Sequence, residues 1–206
     1  MKIILVRHGH VEGITPERFR GRAELPLTPL GRRQAQALAT RIGASWKPVA
    51  VYASPLERAA ATAELIASPL GLRAELRAEI TDIDYGAWQG RTPAEARRNW
   101  PRELDLWFHA PQLARIPGGE SLGDVAVRVT QFVCDLASAY GDDTVVIVGH
   151  DSVNRVLLLG ALDLPLSHYW RIEQAPAALN ELAFDGERFV VVSLNETFHL
   201  HDVREV

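Results

Sequence analysis

Two histidines and two arginines stand where apolar runs of this chain end: Arg7-His8-Gly9 follows Ile3-Ile4-Leu5-Val6, Arg58 lies in Ser54-Pro55-Leu56-Glu57-Arg58, and Gly149-His150 follows Thr144 to Val148. Guanidiniums hold phosphate oxygens with a planar fork that keeps its charge at any physiological pH. A neutral imidazole offers one nitrogen lone pair for in-line attack on phosphorus, provided that its other nitrogen is pinned as a donor. Any one of these residues alone is unremarkable surface chemistry. Converging from three stretches, the four make a phosphate pocket the natural reading.

That convergence needs a scaffold. Lys2 to Val6, Val49 to Ala53 and Thr144 to Val148 read as buried strands. Each is followed by a helix: Thr28-Pro29 supplies an N-cap and an N1 proline, and Ser54-Pro55-Leu56-Glu57 predicts a capping box. Further helix starts fall at Thr92-Pro93-Ala94-Glu95 and at Ser121, the latter carrying Val125, Val129, Phe132, Val133 and Leu136 at helical spacing. Alternation of this kind predicts a three-layer α/β/α sandwich with a mostly parallel sheet, in which ligands bind beyond the carboxyl ends of the strands. Glu181 to Phe184 and Arg188 to Leu194 flank Asp185-Gly186 and predict a hairpin, hence an antiparallel edge strand. The stretch 89–119, rich in Pro, Trp and Arg, interrupts the rhythm and is expected to be a helical insertion covering the site.

With 206 residues the chain is read as a single domain, 1–206. A net charge of -4 leaves no basic footprint for nucleic acid or an anionic membrane, so anion binding must come from local placement of Arg and His. The run Ile3 to Val6 is too short for a membrane span or an export signal, and a cytoplasmic protein is expected. The single cysteine, Cys134, excludes an internal disulfide, and its neighbours predict a buried thiol. His199-x-His201 has no third ligand nearby and is expected to be a solvated tail, so neither a metal nor a cofactor is expected. Whether copies of the chain associate is not legible.

An ordered series of motifs resembles the histidine phosphatase superfamily, the phosphoglycerate mutase-like enzymes, along nearly the whole chain. The series is Arg7-His8-Gly9; Leu27-Thr28-Pro29-Leu30-Gly31 with Gln34-Ala35; Ser54 to Ala59 with Thr62-Ala63; Asp82 to Gly90; Gly118-Gly119-Glu120-Ser121; and Gly149-His150. The resemblance implies that His8 attacks phosphorus and becomes a phosphohistidine while Arg7, Arg58 and His150 hold the equatorial oxygens. An imidazolium and two guanidiniums would then meet the charge that spreads over those oxygens in the transition state. It also implies that Asp82, at a position usually held by glutamate, protonates the leaving group, with Asp84 and Glu79 as neighbouring substitutes. Burial or the phosphate itself would have to raise the pKa of Asp82 for that work.

The chain departs from the family at several places. Ile14 occupies the position of an asparagine that touches phosphate, and His10 and Val11 replace a Glu-Thr pair. Asp151 follows the second histidine where glycine is common, and either orients His150 or caps the helix starting near Ser152. The stretch Tyr85-Gly86-Ala87-Trp88-Gln89-Gly90 resembles broad-specificity and α-ribazole phosphatases and places Trp88 near the site. The expected partner is a small phosphorylated metabolite, with Arg20 and Gly21 as substrate-binding candidates and Arg22, Arg97, Arg98 and Arg102 as more remote cations. The basic stretch after the acid is short, which favours transfer to water over a phosphoglycerate mutase reaction. A phosphate-binding module without catalysis is the third reading, against which the retained His8 argues.

Overall fold

A computed structural model describes residues 1–14 and 16–203; the last three residues of the expected domain lie outside it. Six strands form one sheet among the described residues: β1 (Lys2–Arg7), β2 (Ala50–Ala53), β3 (Ala74–Leu76), β4 (Thr144–Gly149), β5 (Leu179–Phe184) and β6 (Phe189–Glu196), in the order β3-β2-β4-β1-β5-β6. The first four are mutually parallel; β5 runs antiparallel to β1, and β6 antiparallel to β5. The reversed strand is therefore β5, one place in from the edge. The hairpin joining the pair closes over residues 185–188, where the Asp185 carboxylate accepts from the amides of Glu187 and Arg188.

Strand alternation sorts the core into two layers. Ile4 and Val6 face α1 (Pro29–Ser45) and α2 (Glu57–Ala67), packing with Leu38, Ile42, Ala63 and Ile66. Ile3 and Leu5 face α5 (Leu122–Tyr140) and α6 (Asp151–Ala161), with Val129, Phe132, Val153 and Leu157. Each of the Val, Leu, Ile and Phe side chains among them contributes roughly 1.5–3 kcal/mol when withdrawn from water. The two layers hold β1 and β4 rigidly, and these are the strands that deliver His8 and His150. Between β3 and α5 the chain forms α3 (Pro93–Asn99), started by a Thr92–Glu95 capping box, and α4 (Pro101–His109).

Some local expectations are corrected. No capping box forms at Ser54: its hydroxyl accepts from the Leu56 amide, and the first helical amide, Glu57, is satisfied by the Glu24 carboxylate instead. Cys134 is exposed, because on α5 it sits outside the arc of Phe132, Val133 and Leu136 that faces the sheet. His199 is half-buried, not solvated, and its Nε2 bonds the Ala177 carbonyl. Among the described residues no helix is long and apolar enough to cross a membrane.

Candidate active site

His8 leaves the end of β1 in a turn fastened on all sides. Its Nδ1 donates to the carbonyl of Gly9 at 2.7 Å, which puts the lone pair on Nε2. The Gly9 amide donates to Thr62 Oγ1, the His10 amide to Gln34, and the Thr28 amide to the His10 carbonyl. Gly9 and Gly31 lie so close that a Cβ on either would collide with the other's stretch of backbone, which accounts for both glycines in their motifs. The motifs around Thr28, Gly31, Gln34 and Thr62 thus serve the histidine turn.

Around Nε2 the cations gather. Arg58, on the first turn of α2 and fully buried, donates from Nε to His8 Nε2 at 3.2 Å, from Nη1 to Ala23 O and from Nη2 to Gly21 O. Arg7 is held through Nη1 by the Gln174 carbonyl, with Asp151 3.6 Å away. His150 stacks obliquely on His8 with ring centroids 5.1 Å apart. Among the described residues, Arg7 Nε and both ring nitrogens of His150 are buried without hydrogen-bond partners, so that Arg7 Nε–H and the one N–H of the neutral ring are donors left for the oxygens of an anion. Burial, then His150, Arg58 and Arg7, push the His8 pKa well below its ordinary value, leaving the imidazole neutral and nucleophilic at neutral pH. His150 is pushed down to about 3, chiefly by burial, against the pull of Asp82. The expected imidazolium is therefore a neutral ring here, because burial, aided by the Arg58 and Arg7 guanidiniums, outweighs the pull of Asp82.

Asp82 follows the short helical turn Ala78–Ile80 and is buried among donors: Arg58 Nη2 at 3.0 Å, Ser152 Oγ at 2.5 Å and the Ile83 amide at 3.0 Å, with His150 Nδ1 at 3.7 Å. Burial raises its pKa, but His150, Arg58 and Ser152 together outweigh burial and hold the carboxyl below its usual value. The expectation of a raised value thus fails for the protein alone. Asp84 and Glu79 are placed differently. Asp84 accepts from the Gly86 amide and faces Arg22, and Glu79 is exposed. Neither lines the cleft that Asp82 and Arg7 share.

Residues 3–197 match the histidine phosphatase superfamily, branch 1. The chain belongs to that family. Phosphoserine phosphatase 1 of Hydrogenobacter thermophilus is 32% identical over 97% of this chain and 94% of its own length. An adenosylcobalamin/α-ribazole phosphatase of Escherichia coli is 28% identical over 84% of this chain and 86% of its own. The chain spans 55% of a longer bifunctional relative from Mycobacterium tuberculosis. Among solved structures, Bacillus stearothermophilus YhfR superposes with a TM-score of 0.91 at 29% identity, covering 97% of this chain and 98% of that one.

In this histidine phosphatase the cleft above the pocket measures about 370 Å3. Arg20 and Gly21 both line it; Arg20 donates to Gly13 O, while Gly21 supplies the carbonyl that steadies Arg58. Ile14, at the asparagine position, gives the wall an apolar patch. Trp107 of α4 and Trp170 also line the cleft, whereas Trp88 lies a layer deeper, packed on Phe19 and Trp107, so the tryptophan expected at the site is a core residue. Arg22 is tied to Asp84 and Glu120, and Arg97, Arg98 and Arg102 are exposed outside the cleft. Asp151 neither bonds the ring of His150 nor caps α6: it is the first residue of that helix, and its carboxylate accepts from Arg155 and faces Arg7. Thr62 belongs to the motif series, and the structure adds its bond to the Gly9 amide; for Ser152, Gln174 and Arg155 only three-dimensional contacts reveal the role.

Proposed function

We propose that this phosphomonoester hydrolase works by double displacement on His8, with Asp82 moving the proton. Nε2 of His8 attacks phosphorus; the P–N bond forms as the P–O bond to the leaving group breaks, and the leaving oxygen takes the Asp82 proton. Water then attacks the phosphohistidine and gives a proton to Asp82 while the P–N bond breaks, which returns neutral His8 and inorganic phosphate. Arg7, Arg58 and His150 hold the equatorial oxygens, Arg20 adds positive charge at the cleft, and Gly21 positions Arg58. Nδ1–H stays on the Gly9 carbonyl throughout.

One observation carries this reading: the 2.7 Å bond to Gly9 leaves the His8 lone pair on the nitrogen that Arg58 also faces. For Asp82, the dianion of a substrate both repels a second negative charge and competes for Arg58, and both effects raise the carboxyl toward the protonated form. The substrate class is a small phosphorylated metabolite, and the stretch 89–119 is read as the cover of the site, supported by Trp107 in the cleft wall. Release of phosphate from p-nitrophenyl phosphate tests the reading, with wild type expected to exceed His8→Ala by about 10³-fold or more. Brief incubation with labelled substrate followed by denaturation should trap an acid-labile, base-stable phosphoprotein that His8→Ala lacks. Equal rates for the two proteins would overturn the mechanism.

A further inference from the structure

We infer that Asn180 of β5 is a positioning residue for phosphoryl transfer: with Gln174 and Asn195 it builds a buried carboxamide network that aims the guanidinium of Arg7 at the phosphate. The inference rests on the phosphatase reading above, in which Arg7 holds a phosphoryl oxygen, and extends it to the groups that align that arginine.

The segment 173–178 leads into β5 and runs beside the histidine turn, which it meets through backbone groups. Gln174 O accepts from Arg7 Nη1, and Ala178 O accepts from the Arg7 amide at 3.1 Å. The Ala177 amide donates to His8 O at 3.1 Å. A guanidinium is planar and rigid, so fixing Nη1 on a carbonyl also fixes where Nε points. Among the described residues that buried Nε has no hydrogen-bond partner, and its N–H is left to meet an oxygen in the pocket. The aim of Arg7 is therefore set by the position of the Gln174 carbonyl.

Asn180 holds that carbonyl in place. It is fully buried, and both its donors and both its acceptor positions are used. Oδ1 accepts from Gln174 Nε2 at 2.9 Å and from the Asn195 amide at 2.8 Å. Nδ2 donates to Gln174 Oε1 at 2.9 Å and to Leu5 O at 3.0 Å. From β6, Asn195 Oδ1 takes the Ala175 amide at 2.8 Å. The segment is thus clamped from β1, β5 and β6 together.

Two observations say that this clamp serves the site. Ala177 and Asn195 both have left-handed backbones, with φ of 58° and 52°. An alanine held there costs about 1 kcal/mol or more and persists only where its surroundings over-determine it. The carboxamides do not repay that cost as stability, since a hydrogen bond returns only about 1 kcal/mol beyond what water offers. A complete buried network secures a single arrangement instead. Here that arrangement lies directly against Arg7 and the nucleophile. Neither Asn180 nor Asn195 lines the cleft, so both act through Arg7 and not on the substrate.

Asn180→Leu removes all four bonds at nearly constant shape and tests the inference. With p-nitrophenyl phosphate its kcat is expected to fall by about 10- to 100-fold, as for a catalytic group misplaced by about 1 Å, and its KM to change by about threefold or less, because the charge that Arg7 meets is largest in the transition state. In the Arg7→Ala background the same substitution should cost about twofold or less, since its route to the reaction is gone. In vanadate complexes isotopically labelled at arginine nitrogen, solvent exchange of Arg7 Nε–H should quicken by about tenfold or more with Asn180→Leu. That of Arg58, held by its own carbonyls, should stay as in wild type. Asn195→Gly deletes only the bond to the Ala175 amide, at a backbone conformation that glycine adopts freely. It should show the same pattern to a smaller degree, and it stands in if Asn180→Leu does not fold. An unchanged kcat in both variants, losses that multiply with those of Arg7→Ala, or equal quickening at Arg7 and Arg58 would overturn the inference. Failure of the phosphohistidine mechanism would show instead in the His8→Ala comparison, with the exchange result left intact.

Discussion

Arg58 and Asp82 form a buried ion pair of 3.0 Å in which the same guanidinium also donates to the nucleophile His8. One arginine thus links the group that attacks phosphorus to the group proposed to protonate the leaving oxygen. In the proposed mechanism an entering phosphoryl oxygen competes with Asp82 for Arg58, so that binding the substrate and arming the acid become a single event. Buried ion pairs of this kind cost desolvation energy on both sides and are weak devices for stability. This one makes sense as a switch on the acid.

Replacing Asp82 with Asn should therefore separate substrates by leaving group. Alkyl phosphates, whose alkoxide needs a proton, should slow by about 10²- to 10⁴-fold, while p-nitrophenyl phosphate, whose phenolate leaves unaided, should slow by about tenfold or less. Pre-steady-state and steady-state rates for the two substrate types are the measurement. Equal losses would assign the proton to another group.

Ser152 holds Asp82 through the 2.5 Å bond from its hydroxyl. That bond favours the ionised carboxylate, so Ser152→Ala should raise the carboxyl pKa. The limb of the pH–rate profile that belongs to Asp82 should move to higher pH for an alkyl phosphate. A profile that falls in amplitude without moving would mean that Ser152 serves only packing.

How far this site was legible follows from where its parts lie. His8, Arg58 and His150 sit directly after strands or at a helix start, and the α/β rule brings such positions together without any knowledge of packing. Arg58's grip on Asp82 was not legible, since the two meet from segments whose relative approach depends on the whole 78–84 turn. Asp151 shows the same limit. Next to His150 in sequence, it points along α6 to Arg155 and across to Arg7, and only the helix register decides that. Strand β3 escaped because Ala74-Glu75-Leu76 is short and half polar, and its pairing to β2 supplies what its sequence lacks. Cys134 failed for a phase reason: neighbours in a helix sequence point 100° apart, so buried neighbours do not bury it.

The two active-site histidines should make folding sensitive to acid well above the carboxylate range. Both have native pKa values below the unfolded value of about 6.5, His150 at about 3. Above pH 6.5 neither state is protonated and they contribute nothing. As pH falls below that, the unfolded chain takes up protons that the native one refuses, and stability drops by about 1.4 kcal/mol per pH unit for each histidine. Asp82 acts lower: its depressed native pKa gives stability that is present above the unfolded value and is lost as pH falls through the native one. Urea titrations from pH 7.5 to 5 should show the slope, and His150→Gln should flatten it by about one proton. An unchanged slope would mean that His150 is charged in the native state.

The same depressed value implies that binding an anion takes up a proton. A dianion between Arg7, Arg58 and His150 favours the charged imidazolium, and the unpartnered ring nitrogens of His150 are positioned to become donors to it. Vanadate or inorganic phosphate titrated at pH 7 into buffers of different ionisation enthalpy should therefore report proton uptake, shared between His150 and the carboxyl of Asp82. His150→Gln should remove the share of the ring and Asp82→Asn the share of the carboxyl. If the wild type binds with no net proton, His150 remains neutral in the complex, the anion does not protonate Asp82, and the charge on the oxygens is met by the two arginines alone.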